Sequence, residues 1–233
     1  MEIHSISGVL DAIGGTETPA LVHGSRRYSG ERFRRMSYKT GNLLRHRGVH
    51  EGSVVSVLDV DAPETVFTIM GAGLLGATVH VGTDPMEEAG VVVGPTSSLP
   101  SAELPPGATP IGFGTAPSDP SWVFFERQAW SENPSFPDTD SRADVPFLSN
   151  EVTLTQRTVV DTASSVSASF DRETVLAVRD SFSNPGTVVS GVVAPLQADA
   201  TILLPDGETT GTVAVASDSC PEPERLDPDL ARP

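Results

Sequence analysis

Residues 28–85 decide the fold, with the sequence YSGERFRRMSYKTGNLLRHRGVHEGSVVSVLDVDAPETVFTIMGAGLLGATVHVGTDP. Ser29 can cap a first helix, in which apolar residues recur at steps of three and four. A buried strand is predicted over Ser53–Asp59, and Pro63 suits the first turn of a second helix. Ala77–Val81 completes the stretch as a second strand. The predicted order is helix, strand, helix, strand, with a right-handed crossover between parallel strands.

The same order of segments returns in the second half of the chain. Thr155 can cap a helix, Thr174–Val178 predicts a strand, Pro185 opens another helix and Ala200–Leu204 predicts another strand. The two copies share residues at matching places, namely Pro63 with Pro185, Thr65 with Thr187, and Ala77-Thr78 with Ala200-Thr201. This agreement predicts an internal duplication, although ordinary βαβ units can also resemble one another by chance.

The predicted fold class is α/β, with a mainly parallel sheet built from two related α-β-α-β units and flanked by helices. We expect one domain over residues 1–216, with unit one at about 28–94, unit two at about 151–216 and an irregular connection at 95–150. Further short strands are predicted at Gly90–Gly94, Trp122–Phe125 and Thr212–Ala216. Residues 217–233 are acidic and rich in proline, so they are predicted to be disordered.

The composition is strongly acidic, with 31 acidic residues against 15 basic ones and a formal net charge of −16. Lys39 is the only lysine. This balance is typical of proteins from salt-loving archaea, which predicts a halophilic protein. The negative charge repels nucleic-acid phosphates and anionic lipids, so neither nucleic acid nor membrane is expected as a partner.

The sequence also indicates the compartment. No stretch approaches the roughly 20 apolar residues of a membrane helix, and the first residues do not resemble a secretory signal. We therefore expect a cytoplasmic protein. Its single cysteine, Cys220, excludes an internal disulfide and a cysteine-based zinc site.

Several residue patterns in the first unit carry a resemblance to a known family. They are Tyr28-Ser29 at the start of the first helix, Gly48-Val49 and Gly52 before the strand, Leu75-Gly76-Ala77 after the second helix, and Asp84-Pro85 after the second strand. With these patterns the stretch resembles the opening of the AMP-binding ligases, the superfamily of acyl-CoA synthetases and adenylation domains. Residues 186–205, GTVVSGVVAPLQADATILLP, resemble a later segment of the same family.

The resemblance implies functional residues that this sequence lacks. Members of the family carry a Gly-rich loop ending in Pro-Lys-Gly, which holds ATP phosphates and lies between a buried strand and the helix of the second unit. Here Trp122–Phe125 is taken as that strand, and the following residues 126–150 contain several acids and no glycine. The family's magnesium-binding glutamate, ribose-binding aspartate and C-terminal lysine are also not expected. We therefore predict no catalytic residue and no metal ligand, and the cofactor-binding residues stay unknown. ATP, AMP or CoA is implied only by the resemblance.

Other motifs are better explained by structure than by chemistry. Gly71–Gly76 matches G-x-G-x-x-G, but it ends a helix instead of opening one, so close packing and a C-cap explain it. Gly207–Thr212 is predicted to be a turn between strands, with weak anion contact as the alternative. His46 and His50 are expected to be exposed at a helix end, and His80 to pack on a strand.

Two segments leave a binding role open. Eight of the 15 lysines and arginines lie between Arg26 and Arg47, which predicts either a solvated helix face or a docking face for an acidic partner or for CoA phosphates. The segment Trp122–Pro137 is rich in aromatic residues, and is expected either to fill the cleft left by the missing loop or to contact a partner.

The leading functional hypothesis is a non-catalytic protein related to AMP-dependent acyl-CoA synthetases that acts as a binding or regulatory module. The first alternative is one component of a split AMP-forming acyl-CoA ligase, whose catalytic residues come from a second chain. A weaker alternative is a binder of CoA or an acyl ligand. The expected partners are a full-length ligase-like protein or an acidic protein.

Overall fold

The computed structural model describes residues 3–15, 18–137, 142–150 and 152–231. Its α-helices are α1 Ile6–Ala12, α2 Gly30–His46, α3 Pro63–Leu75, α4 Phe125–Ser131, α5 Gln156–Ser167, α6 Pro185–Val188 and α7 Ala194–Gln197. Its strands are β1 Pro19–His23, β2 Arg26–Ser29, β3 Val54–Leu58, β4 Thr78–Gly82, β5 Ala89–Pro95, β6 Thr109–Phe113, β7 Val123–Phe124, β8 Pro146–Ser149, β9 Thr153–Thr155, β10 Val175–Val178, β11 Thr201–Leu204, β12 Val213–Val215 and β13 Glu224–Leu226.

Helices α2, α3 and α5 begin where the sequence predicts. Ser29 caps α2 by accepting a hydrogen bond from the amide of Arg32 at 3.3 Å. Pro63 opens α3, and Gly76 ends it in the left-handed region at φ 69°. Thr155 caps α5 in the same way as Ser29 caps α2. The sequence predicts neither α1 nor α4, and it does not predict the π-helical segment that separates α6 from α7.

The strands form two mostly parallel sheets, so the α/β class is confirmed. The order of the seven-stranded sheet is β7-β6-β5-β3-β4-β8-β9, and the order of the six-stranded sheet is β13-β12-β10-β11-β1-β2. The antiparallel pairs are the two hairpins, β1 with β2 and β8 with β9. Unit one supplies the centre of the larger sheet, and unit two supplies the centre of the smaller one. The sequence analysis predicts a single sheet, whereas the structure contains two.

The two sheets have the same internal plan, as the proposed internal duplication requires. From β6 to β9 in one sheet and from β13 to β2 in the other, corresponding strands follow the same order and direction. The register also agrees: Val54 faces Thr78 between β3 and β4, and Val175 faces Thr201 between β10 and β11. Each repeat therefore begins with a hairpin, earlier than the predicted starts near residues 28 and 151; Glu151 itself lies outside the described residues.

The two hairpins are exchanged between the units. The hairpin β1–β2, which precedes α2 of unit one, pairs with β11 of unit two. The hairpin β8–β9, which precedes α5 of unit two, pairs with β4 of unit one. Both hairpins have an irregular register after their first proline, Pro19 or Pro146. Each sheet thus contains strands from both halves of the chain.

Helix α3 lies at the centre of the core, and all of its residues are buried. It approaches α2 closely because glycines face each other, and a Cβ on Gly71 would lie 2.8 Å from the amide nitrogen of Gly41. Phe33 and Phe67 pack together between the same two helices, with ring centroids 5.4 Å apart. The interpretation of Gly71–Gly76 as packing and capping residues is therefore confirmed.

The irregular parts of the chain hold more structure than predicted. The connection 95–150 contains β6, α4 and β8, and Trp122–Phe125 is a strand only over β7, because Phe125 already begins α4. The prediction of a disordered tail is wrong for residues 217–231. There β13 pairs with β12, and Pro228–Ala231 forms a 3₁₀ turn. Within the described ranges, none of the helices has the length and apolar character needed to cross a bilayer.

Candidate functional site

A polar cleft of about 600 Å³ lies at the carboxyl end of the central strands of the seven-stranded sheet. Ligands in parallel α/β sheets bind at this end, because the loops that follow the strands converge there. The side chains of the cleft are mostly small and polar: Asp59, His80, Val81, Thr83, Asp84, Asn150, Ser181, Ser183 and Asn184. Residues from both units thus line one cavity.

Asp59 and Ser181 join the two units across this cleft. Asp59 directly follows β3, and Ser181 lies in the loop between β10 and α6. The Ser181 hydroxyl donates to the Asp59 carboxylate, and the Phe182 amide donates to Asp59 Oδ1 at 3.1 Å. The Ser183 hydroxyl contacts that of Ser181. The carboxylate is held by the second unit, while the hydroxyls present a further polar surface to the cavity.

His80 and Asn150 form another wall. His80 Nδ1 lies 3.0 Å from the carbonyl oxygen of Ser149, and because a carbonyl can only accept, Nδ1 is the donor in this contact. A Cβ on Gly82 would lie 3.0 Å from His80 Nε2, so this glycine makes room for the ring. The Asn150 amide donates to the carbonyl oxygen of Val81 at 2.5 Å. These contacts fix the ring and the amide beside the cavity.

A second depression, of about 420 Å³, lies at the carboxyl end of the six-stranded sheet. Burial, together with the nearby Asp59 carboxylate, raises the pKa of Asp61 at its edge. Arg179 follows β10 and forms an ion pair with the buried Glu222, at 2.6 Å between Nη2 and Oε1. Burial alone would raise the pKa of Glu222, but hydrogen bonds from Arg179 and the Gly211 amide outweigh it and lower that pKa. This pair holds the tail against the sheet.

The segment that leads into the second unit's first helix differs from the prediction. The strand pair directly before α5 is the hairpin β8–β9, so Trp122–Phe125 is not the strand that precedes this helix. Only residues 150–152, Asn-Glu-Val, connect the two strands of the hairpin. A loop ending in Pro-Lys-Gly would have to lie between the buried strand and this helix. The connection that stands there is short and contains neither glycine nor lysine.

The single lysine lies away from the residues that line the cleft. Lys39 is on α2, and its Nζ donates to the carbonyl oxygen of Trp130 at 2.6 Å, at the C-terminal end of α4. A cation is favoured at this end of a helix because the last carbonyls there have no partner within the helix. Lys39 therefore fastens α4 to α2.

The histidines outside the cleft have structural contacts. His46 is exposed, and its Nδ1 lies 3.0 Å from a carboxylate oxygen of Glu132, while His50 contacts the carbonyl oxygen of Glu51.

Gly207 lies in the connection between β11 and β12, as predicted. Within the described part of the chain, no three His, Cys, Asp or Glu side chains are grouped to hold a metal ion.

The aromatic segment does not fill the cleft. Trp122 packs beside β3 and β5, against a cluster that includes Leu58 and Val92. Phe136 packs on α2, where a Cβ on Gly41 would lie 2.9 Å from its ring, and Trp130 is 63% exposed. The segment therefore packs on α2 and on one face of the seven-stranded sheet, beside β3 and β5.

Solved structures that share this architecture include two CoA ligases and an acyl-CoA synthetase. The chain superposes on the anthranilate CoA ligase AuaEII, solved with anthranoyl-AMP, with a TM-score of 0.80 over 92% of its length at 15% identity. The benzoate CoA ligase from Burkholderia xenovorans LB400 gives a TM-score of 0.72 over 90% at 15% identity, and the Brucella canis acyl-CoA synthetase gives 0.70 over 85% at 19%. The chain has the fold of the N-terminal part of these ligases.

The match to the ligases covers only part of their length. The chain spans 50% of the length of the anthranilate ligase, 49% of the benzoate ligase and 42% of the Brucella enzyme. No protein-family model and no curated protein matches the sequence. At these identities the likeness shows the fold, and it leaves ligand and activity to be argued from the residues.

Sequence reasoning could have located part of the cleft. Asp59 directly follows a predicted buried strand, and Ser181 and Ser183 lie between a predicted strand and the helix that begins at Pro185. Polar residues at the carboxyl ends of parallel strands mark ligand sites in α/β folds. Asn150 could not be found in this way, because its hairpin was not predicted.

Proposed function

We propose that this chain is a non-catalytic binding module on the ligase fold, and that its cleft binds a small polar ligand that is neutral or positively charged. The observation that carries the proposal is the charge of the cleft. Two aspartates, Asp59 and Asp84, line it together with hydroxyls and amides, and its described lining contains neither lysine nor arginine. Carboxylates disfavour a triphosphate or a free carboxylic acid, and favour ammonium groups and hydroxyls.

Two further features support the absence of adenylation. The hairpin connection 150–152 leaves no Gly-rich loop to surround phosphates before α5. The only lysine is engaged with the end of α4, so it is not placed to neutralise a phosphate in the cleft. Phosphoryl and adenylyl transfer depend on positive charge aimed at the phosphate oxygens, and the cleft lining lacks it.

The first test is an activity assay with the purified chain alone in concentrated KCl. Pyrophosphate release from ATP and magnesium is followed with a panel of aliphatic and aromatic carboxylic acids. We expect no release above the protein-free background. Release that depends on any acid, and that scales with protein concentration, would refute the non-catalytic proposal.

The second test addresses the ligand class by calorimetry with putrescine, arginine, glycerol, hexanoate and ATP. We expect binding among the amines or the polyol and none for hexanoate or ATP. The variant Asp84→Asn should weaken amine binding about tenfold or more, because a hydrogen bond to a charged group contributes about 1.5–3 kcal/mol. Asp218→Asn, in the second depression, is the matched control and should bind unchanged. Binding of ATP or hexanoate with no binding of the amines would reject this ligand class.

The alternative of a two-chain ligase is favoured by one observation, that the ligases on which the chain superposes are about twice its length. In that case a second chain supplies the phosphate-binding and magnesium-binding groups, and the two chains co-purify as a stable complex with ligase activity. A CoA or acyl-ligand binder is the remaining alternative. Calorimetry with CoA at several salt concentrations distinguishes it, since this alternative requires a measurable heat of binding.

A further inference from the structure

A groove of about 310 Å³ lies between α2 and α4, on a part of the surface separate from the cleft. Its lining combines three cations with one acid, an aromatic ring and two neutral side chains: Ser29, Glu31, Arg32, Arg35, Met36, Lys39 and Trp130. Neither the cleft chemistry nor the core packing uses this groove. We call it the α2–α4 groove.

The cations of the α2–α4 groove are held in place but retain unused donors. The guanidinium of Arg32 lies over the Tyr28 ring, 4.7 Å from its centroid, and makes one long hydrogen bond to a backbone oxygen. Arg35 makes only an exposed contact of 3.6 Å with Glu31. A guanidinium has five N–H donors, so both arginines can bind a carboxylate without breaking a strong interaction.

Trp130 gives the groove an apolar anchor. Its side chain is 63% exposed, and among the described residues the only other large hydrophobic side chain classed as exposed is Val152. The position of the ring is fixed by Lys39. Its Nζ donates to the Trp130 carbonyl oxygen and lies 5.9 Å from the ring centroid. An exposed tryptophan on a fixed backbone, with arginines beside it, is the composition that contributes most of the energy in protein interfaces.

The charge of the whole chain restricts what can bind there. The protein has a formal net charge of −16, whereas the exposed part of α2 and its flanks carries Arg27, Arg32, Arg35, Arg45 and Arg47. A long polyanion such as nucleic acid, or an anionic membrane, would also face the surrounding acidic surface. A short acidic segment of a protein can contact Arg32 and Arg35 alone. Its length is limited to a few residues by the volume of the groove.

We propose that the α2–α4 groove binds an acidic peptide segment of a partner protein that carries an apolar residue among its carboxylates. The apolar residue packs on Trp130, and carboxylates on either side receive hydrogen bonds from Arg32 and Arg35. The proposal is independent of the ligand in the cleft. Because surface charges are screened over about 10 Å at 0.1 M salt and about 3 Å at 1 M, the arginine contribution falls as salt rises, while the tryptophan contribution persists.

The test uses the full chain and a fluorescent five-residue peptide of aspartate and glutamate with one central leucine, followed by anisotropy. We expect saturable binding that weakens at least tenfold in the variant Trp130→Ala and in the double variant Arg32→Ala/Arg35→Ala. The matched control is Arg157→Ala/Arg172→Ala, which removes the same charge from exposed positions away from the groove. It should bind the peptide within twofold of the wild type.

The comparison peptides make the result decisive. A peptide with the leucine replaced by serine should lose the part of the affinity that resists salt, and a peptide of glutamine and asparagine should not bind. Equal weakening by the groove variant and its control, or tighter binding of a single-stranded oligonucleotide than of the acidic peptide, overturns the proposal. Circular dichroism and urea unfolding confirm that each variant is folded. Ligand binding in the cleft should be unchanged by the groove variants, so this test fails or succeeds separately from the proposed function.

Discussion

At the scale of one residue, Asp199 marks a difference between the two units. Among the described residues it is the only non-glycine residue with a positive φ, at 54°. It occupies the position that Gly76 occupies in unit one, directly before the matching Ala-Thr pair. Its carboxylate accepts from the Gly14 amide at 3.2 Å and pairs with Arg172 at 3.1 Å. The side chain therefore supplies contacts that offset an unfavourable backbone conformation.

This balance predicts different results for two substitutions of Asp199. The variant Asp199→Ala should lower the free energy of unfolding by about 1–2 kcal/mol, because it loses the contacts and keeps a Cβ in the left-handed region. The variant Asp199→Gly should cost less, because glycine adopts this conformation freely. Urea unfolding measures both. Gly76→Ala at the equivalent position measures the backbone cost by itself, because it adds a Cβ in the left-handed region without removing a side-chain contact. Equal losses for Asp199→Ala and Asp199→Gly would show that the backbone conformation carries no cost.

At the scale of elements, local sequence predicted the parts whose signals are local. The caps Ser29 and Thr155 and the helix starts Pro63 and Pro185 are confirmed at their predicted positions. The central strands β3, β4, β10 and β11 agree with their predictions to within a residue or two. Each of these elements has a local sequence signal. The helices begin with a capping hydroxyl or a proline, and the strands are continuous apolar runs.

The hairpins were missed for a physical reason. Strand β2 has four residues, of which only Tyr28 is buried, and two of the others are arginines. Strand β8 also has four residues and begins with Pro146. Both hairpins are stabilised by pairing with a strand of the other unit, at Leu21 with Ile202 and at Val79 with Leu148. Such a contact between distant residues leaves no pattern in a short window of sequence. The cleft was only partly predictable, because the position of Asn150 depends on the hairpin β8–β9.

The ion pair between Arg179 and Glu222 holds the tail strand β13 against the sheet, which predicts that stability depends on pH. The side chain of Glu222 is fully buried and pairs with Arg179. The lowered pKa of Glu222 means that its contribution to stability is present above the unfolded value, about 4.3, and is lost as the pH falls through the folded pKa. Glu222→Gln should cost about 3 kcal/mol at pH 7, because it leaves a partly buried guanidinium without its charge partner.

Urea unfolding of wild type and Glu222→Gln between pH 7 and pH 3 measures this effect. We expect the difference between the two proteins to shrink as the pH falls below about 4.3. Asp144→Asn is the control, because Asp144 is 79% exposed in its pair with Arg157 and exposed pairs contribute little. A difference that is constant across this range would mean that the pair does not hold the tail.

At the scale of the whole molecule, the exchange of hairpins joins two related units into one. Each sheet contains strands from both halves of the chain, so neither half can complete its own sheet. Buried Gln156 reinforces the junction, since its amide donates to the Gly73 carbonyl of α3 at 2.6 Å and accepts from the Ile6 amide of α1 at 2.9 Å. One hydrophobic cluster also includes residues of both units, such as Val55 and Val178.

This arrangement predicts that the two units unfold together. If one unit unfolded alone, the sheet of the other unit would lose a hairpin, and hydrophobic residues packed between the units would be exposed. The partly unfolded state would therefore be destabilised in both units. Differential scanning calorimetry in concentrated KCl should show a single transition whose calorimetric and van't Hoff enthalpies agree. Tryptophan fluorescence, which reports on the seven-stranded side through Trp122, should give the same midpoint as circular dichroism. Two resolved transitions, or a calorimetric enthalpy about twice the van't Hoff value, would mean that the repeats remain independent despite the shared strands.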